Sequence, residues 1–265
     1  MTTVPVSLHA LLTTPFTPAP PVRWRRAHWQ QWADRMGPDF RLPDVDHEVD
    51  RQDAAALVHD ELERGRTVPA FVAAMVWAYG PANDGPYRTA TVLGGRRRPT
   101  AVQPEVVAAL EDAVGTARDV TAPTASVQAA TARTAGAASA ATGSAVRSTP
   151  AGHGGVAGDA ARSAHRRIVE HRLHGLAPAG LTAWLHFASA RRDPYAPHAV
   201  PVLDDDVRGW LARDADLPLR DGHPDDYGRY VDRLVTWGRP FGRTPVQVES
   251  SVRTLVASAG TGSDS

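Results

Sequence analysis

The sequence predicts an all-α chain. Apolar residues recur at helical spacing in segment after segment, no Asn-Gly type of turn joins two alternating runs, and β-branched runs are short. Taken in order, Trp29, Trp32 and Met36 share one helix face, and Ala55, Val58 and Leu62 share another that ends at Gly65. Pro69 to Tyr79, PAFVAAMVWAY, is apolar on nearly every side, opens with a first-turn proline and stops at Gly80-Pro81, as a buried central helix should. From about Ala160 the chain reads as a helix ending at Gly175, a residue suited to the left-handed position after a helix. Leu176-Ala177-Pro178 then turns, and Ala179-Gly180-Leu181 starts a helix with Leu181, Trp184, Leu185 and Ala188 in an i, i+3, i+4, i+7 stripe. A helix opened by Pro224 places Tyr227, Tyr230, Val231 and Leu234 together. Thr244-Pro245-Val246-Gln247 fits a capping box ahead of Val248, Val252 and Leu255.

Composition divides the chain. Residues 115–158 are mostly Ala, Thr, Ser and Gly, with almost no aliphatic side chain larger than Ala, so this stretch cannot offset the entropy of ordering and is expected to be a disordered insertion. It separates an N-terminal helical part, 23–114, from a second part of the same domain, 159–258. A flexible segment is expected at 1–22 and a flexible tail at 259–265.

Twenty-nine basic and 29 acidic residues cancel, so no global field draws the chain to a polyanion or a membrane, although a local arginine face stays open. No cysteine is present, which removes disulfides, thiol catalysis and Cys-type zinc sites. All the basic residues are arginines, and chemistry requiring a lysine amine is therefore excluded. No apolar run is long enough to span a bilayer, and the proline-broken N-terminus, without early positive charge, makes a poor signal peptide. A cytoplasmic monomer is expected, with no membrane partner and no cofactor. His165, His171 and His174 lack metal-ligand spacing and Asp46-His47-Glu48 lacks a second histidine at i+4, so metal catalysis is not expected.

The segment from Leu173 to Trp210 carries the chemistry. Free amides at the start of its second helix form an anion site over Gly175, Leu176, Ala177, Gly180 and Leu181, unless the turn is an ordinary αα-hairpin packing on itself. Downstream, the apolar Ala199-Val200-Pro201-Val202-Leu203 anchors Asp204 at the mouth of a third helix. A carboxylate there is a good N-cap, and it can also face positive charge developing on a substrate. The two readings are compatible. Trp77, Tyr79, Tyr87 and Arg88 surround a Gly-Pro-rich turn and could line a pocket that stacks a base, or could be core aromatics at a helix end. Arg96 and Arg97, in an Arg96-Arg97-Arg98 run, could touch phosphates or be a solvated charge run.

Three stretches, PAFVAAMVWAYGPANDGPYRTATVLG, GLAPAGLTAWLHFAS and VPVLDDDVRGWL, resemble the bacterial 8-oxoguanine DNA glycosylase OGG-fold proteins of the helix-hairpin-helix DNA glycosylase superfamily. The resemblance spans about 23–111 and 159–258. It implies that Asp204 matches the superfamily's active-site aspartate and that the Gly175–Leu181 hairpin clamps a phosphate of double-stranded DNA. It also implies that main-chain carbonyls of Gly175 and Ala177 could hold a monovalent cation. Bifunctional members carry a nucleophilic lysine early in the second hairpin helix. The matching position here is Ala179 or Ala183, so lyase chemistry through a lysine imine is excluded. The expected function is removal of a modified or mismatched base by a monofunctional, water-using N-glycosylase. A catalytically silent DNA-binding or regulatory module on this fold, or a protein-interaction domain, stands as the alternative. The base is not legible from fold.

Overall fold

A computed structural model describes residues 3–118 and 153–260. These form eleven helices: α1 Val6–Leu12, α2 Arg26–Met36, α3 Arg51–Glu63, α4 Thr67–Tyr79, α5 Gly85–Leu93, α6 104–118, α7 His153–Glu170, α8 Pro178–Ala190, α9 Asp205–Asp214, α10 Pro224–Gly238 and α11 Pro245–Gly260. The all-α expectation holds. The one sheet among the described residues is a two-residue antiparallel ribbon, β1 Val22–Arg23 paired with β2 Glu48–Val49.

The middle of the molecule is built from two helices that are buried over most of their length. α4 buries ten of its thirteen residues and α8 eleven of thirteen, so neither has a face to give to water. They pack on each other, α4 also meeting α3 and α5, and α8 also meeting α3 and α7. The amphipathic helices cover them: α10 turns Tyr227, Tyr230, Val231, Leu234 and Trp237 inward against α7 and α11. The Thr244 box closes as read, with Gln247 N–H on Thr244 Oγ1 at 3.3 Å and Thr244 N–H on Gln247 Oε1 at 3.1 Å.

Three expectations need correction. The segment 1–22 is not loose throughout, because α1 forms between Pro5 and Thr13 and packs on α11 with Leu8 and Leu12 buried. Each buried leucine contributes about 1.5–3 kcal/mol toward the ordering of this short helix. The insertion is narrower than 115–158. Residues 115–118 continue α6, and 153–158 open α7, where Gly158 N–H bonds Asp232 Oδ1 at 3.1 Å; the expected disorder of the remainder, 119–152, lies outside the described residues. Finally, α7 ends at Glu170 rather than at Gly175. The turn that follows uses two left-handed residues, Arg172 at φ 49° and Gly175 at φ 80°.

Candidate active site

The turn between α7 and α8 meets two neighbours. Gly175 is exposed, but a Cβ there would lie 2.7 Å from Thr91 Cγ2 of α5, so both its left-handed φ and this contact require glycine. Ala177 is extended, at φ −69° and ψ 151°, so alanine carries no strain where such hairpins usually place glycine. Gly180 is buried, and a Cβ there would run into the Tyr79 phenol oxygen. Its backbone lies close enough to that oxygen to pull the phenol's pKa down. The anion site at the start of α8 is thus partly filled from within. Pro178 has no N–H, Gly180 is covered by the Tyr79 hydroxyl, and Leu176 N–H closes on Leu173 O, leaving the Ala177 and Ala179 amides. Burial raises the Tyr79 phenol above its ordinary 10.0, against the opposing pull of Arg88, so it stays protonated. The Arg88 guanidinium stands 5.8 Å from the centre of the Tyr79 ring and pairs with Asp84 at 2.6 Å.

Asp204 is both cap and ion-pair partner. Its Oδ1 accepts the Val207 N–H at 2.9 Å, closing the first turn of α9, while Oδ2 accepts from Arg253 of α11 at 2.5 Å. The side chain keeps a quarter of its surface exposed. Arg253 also pairs with Glu249 one turn earlier on α11, and Glu249 receives a two-pronged bond from Arg51 at 2.5 and 2.9 Å. The chain of charges Arg51, Glu249, Arg253, Asp204 alternates in sign and sums to zero. Burial would raise the Glu249 carboxyl, but the Arg51 and Arg253 guanidiniums outweigh it and hold it down to about 2. The two guanidinium carbons stand 4.8 and 5.8 Å from the centre of the Trp77 ring.

The segment leading to Asp204 has no strand partner, so side chains satisfy its backbone. Ser189 Oγ accepts the Val200 N–H at 3.1 Å, and His186 Nδ1 donates to Val200 O at 2.7 Å. Tyr227 and Tyr230 hydroxyls donate to Pro201 O at 2.7 Å and Val202 O at 2.9 Å. Thr182 Oγ1 accepts the Leu203 N–H at 3.1 Å. Thr182, His186 and Ser189 stand at i, i+4 and i+7 on α8, one face laid along the segment. His186 is kept neutral, lowered to about 3 first by burial and then by the Arg51 charge.

The sequence-derived candidates therefore fall into groups. Asp204 and Trp77 share the arginine–carboxylate network. Tyr79, Arg88 and Gly180 sit together at the start of α8, within electrostatic reach of Asp205. Leu181 turns into the core, and Leu176 packs partly buried on it. Tyr87 lies elsewhere on α5, half-exposed, its ring against Trp32 and its hydroxyl on Arg97 O at 3.2 Å. Arg96 and Arg97 are exposed, Arg96 holding Thr100 Oγ1 at 2.9 Å. Trp77 is only 9% exposed, which limits any stacking role to its edge. For the cation that the resemblance implies, the turn offers main-chain oxygens only, and the Ala177 carbonyl already accepts the Leu181 N–H at 2.9 Å. Among the described residues no group of three acidic or histidine side chains could hold a metal.

Arg51, Glu249, Arg253, Thr182 and His186 were not singled out from sequence. One signal was present: Glu249 and Arg253 are spaced i, i+4 beside the Val248–Val252 stripe, an ion pair set on the edge of a buried face. Arg51 lies 198 residues from Glu249 and gave no local sign.

Compared with known proteins, residues 17–136 and 115–252 match the family model described as "Putative 8-oxoguanine DNA glycosylase OGG-like protein", the two matches meeting inside the Ala/Thr/Ser/Gly-rich segment. No curated protein and no solved structure matches the chain.

Proposed function

The chain belongs to the OGG-like protein family, and from that premise we propose that it binds double-stranded DNA and releases a modified or mismatched base by monofunctional hydrolysis. The observation that carries this reading is the setting of Asp204. It is a partly exposed carboxylate fixed by a helix amide on one oxygen and by Arg253 on the other, at the end of a segment held by five side chains.

In this reading the duplex lies across the α7–α8 turn, with a backbone phosphate on the Ala177 and Ala179 amides at the positive end of α8. Asp204 faces C1′ of an extruded nucleotide. As the glycosidic bond lengthens, its electron pair leaves with the base and positive charge grows on the sugar. The fixed carboxylate stabilises that charge without having to reorganise. Water adds to C1′ on the opened face, and its proton passes through solvent to the departing base. Arg253 keeps Asp204 oriented, and Glu249, paired with the same guanidinium, offsets part of the Arg253 charge. No lysine is available for imine formation, so the product is an intact abasic site. A monovalent cation on the Gly175 carbonyl would add a charge beside the DNA backbone, and no step depends on it.

The test is Asp204→Asn. Base release from damaged duplexes should fall by at least a hundredfold while DNA affinity is unchanged or slightly higher, because one anion fewer faces phosphate. Wild-type protein should nick no strand, and borohydride should trap no protein–DNA adduct. Unimpaired base release by the Asn variant would reduce Asp204 to a helix cap. No release by the wild type from any damaged duplex would favour the silent DNA-binding module.

A further inference from the structure

A second concave site lies outside the constellation around Asp204. It is a cavity of about 630 Å³ lined by Arg23, Trp24, Arg25, Arg26, Ala27, His28, His47, Gly80 and Pro81. Five of these nine residues are basic and none is acidic. One of the basic charges is balanced, Arg23 pairing with Glu48 at 2.7 Å, and Arg26 donates to Pro43 O at 3.1 Å. The Arg25 side chain is exposed and makes no hydrogen bond or ion pair among the described residues, and His28 and His47 are exposed beside it.

The backbone adds to this field. Arg25 is the N-cap of α2, no side chain caps that helix, and its first turn holds no acid, so the positive end of an eleven-residue helix opens where the basic side chains gather. The first three residues of α2 line the cavity. A third observation is independent of charge. Trp24, also lining the cavity, is 2% exposed, yet its indole N–H has no hydrogen-bond partner among the described residues. A phosphate entering beside this ring would change the surroundings of the indole N–H, whose resonance can therefore report on the cavity.

The cavity exists because Gly80 lets the β1 strand close on the end of α4. A Cβ at Gly80 would meet Trp24 Cβ at 3.0 Å and Arg23 O at 3.1 Å. Gly80 follows Tyr79, whose phenol oxygen lies against Gly180 at the start of α8. The basic cavity and the α7–α8 turn thus flank the same end of α4, on either side of Tyr79.

We propose that this cavity is a phosphate site, and that its occupant is a backbone phosphate of the bound DNA, held by Arg25, the α2 amides and the histidines. With the turn before α8 it would grip the duplex at two points, with Tyr79 and Arg88 between them. The DNA source rests on the proposed function; the phosphate chemistry does not.

The experiment pairs two probes on the full chain, a 20-base-pair duplex and inorganic phosphate, with the variant Arg25→Gln/His28→Gln. Duplex affinity is measured against salt concentration. Loss of one phosphate contact should make the slope of log Kobs on log salt shallower by about 0.9, equally for intact and damaged DNA. Arg64→Gln, which removes an exposed charge at the end of α3, should leave the slope unchanged. In ¹H–¹⁵N spectra, millimolar phosphate should shift the Trp24 indole resonance in the wild type and not in the variant. An unchanged slope in a folded variant, with the wild type binding DNA normally, overturns the DNA-phosphate assignment and leaves the reading of Asp204 intact. If the wild type binds no duplex but phosphate still shifts the Trp24 signal, the site stands with a free phosphate as its source and the DNA reading fails by itself. No shift and no slope change together overturn the site.

Discussion

Glu249 is the residue on which the arrangement around Asp204 turns. It is fully buried between two arginines, and a buried carboxylate is tolerable only while both guanidiniums complete it. Glu249→Gln removes the charge and leaves Arg51 and Arg253 facing each other across a dry interior. We expect a loss of about 3–5 kcal/mol in unfolding free energy, readable by denaturant titration. Arg253 would then be balanced by Asp204 alone, and any base-releasing activity should fall further than the stability loss explains when measured well below the melting temperature. Activity unchanged in the folded variant would mean that Glu249 serves packing and not Asp204. The pH dependence has a definite sign. A carboxyl ordinarily at 4.5 and held down to about 2 in the fold contributes stability that is present above pH 4.5 and is lost as pH falls toward 2. In the Gln variant that component of the acid transition should vanish.

At the scale of elements, the decisive piece is the extended segment 200–203, which is neither helix nor sheet. Isolated extended backbone inside a protein carries unpaired amides and carbonyls unless something supplies partners. Here α8 and α10 supply them from opposite sides. Tyr230→Phe keeps the ring and its packing but strips the donor from Val202 O. The expected cost is about 1–3 kcal/mol, with faster hydrogen exchange of the Leu203 and Val207 amides as the segment loosens. If the Val207 amide, which Asp204 caps, exchanges at the wild-type rate in this variant, then Asp204 is positioned by Arg253 and not by the segment. The helices themselves follow from local pattern, since the capping box at Thr244, the cap at Asp204 and the stripes on α8 and α10 all appear as read. The end of α7 does not, because the left-handed Arg172 breaks the helix before the glycine that sequence reasoning chose.

For the whole molecule, two buried neutral histidines set the response to acid at mild pH. His186 is lowered to about 3 and His165 to about 4, each chiefly by burial. His165 sits 5.0 Å from the Tyr227 ring between α7 and α10, and His186 touches Trp77 and Phe187. Both take up a proton near pH 6.5 when unfolded but resist it when folded. Their contribution is therefore complete above pH 6.5 and declines as pH falls below it, before the carboxylates begin to titrate. Tm should drop steadily from pH 6.5 to pH 4, and His165→Gln should flatten that slope. A Tm independent of pH over this range would show that the histidines are hydrated in the folded protein. Both histidines sit where α7 and α8 meet the rest of the core. No described helix is long and apolar enough to cross a membrane.

By itself the sequence determined that the fold is helical and which helices are central, because periodicity and all-round apolar character are local properties readable in a window of a dozen residues. It also determined that no lysine can act, and that Asp204 begins a helix. Docking of α1 was not legible, since its two leucines acquire meaning only beside α11. Nor was the network that grips Asp204, whose members come from α3, α9 and α11, or the cavity at Gly80, where β1 closes on the end of α4. These depend on which faces meet across dozens to some two hundred residues of chain. Only the tertiary structure decided them, because an arginine such as Arg51 is a solvated surface charge by local pattern and becomes a buried partner solely through the element that lands on it.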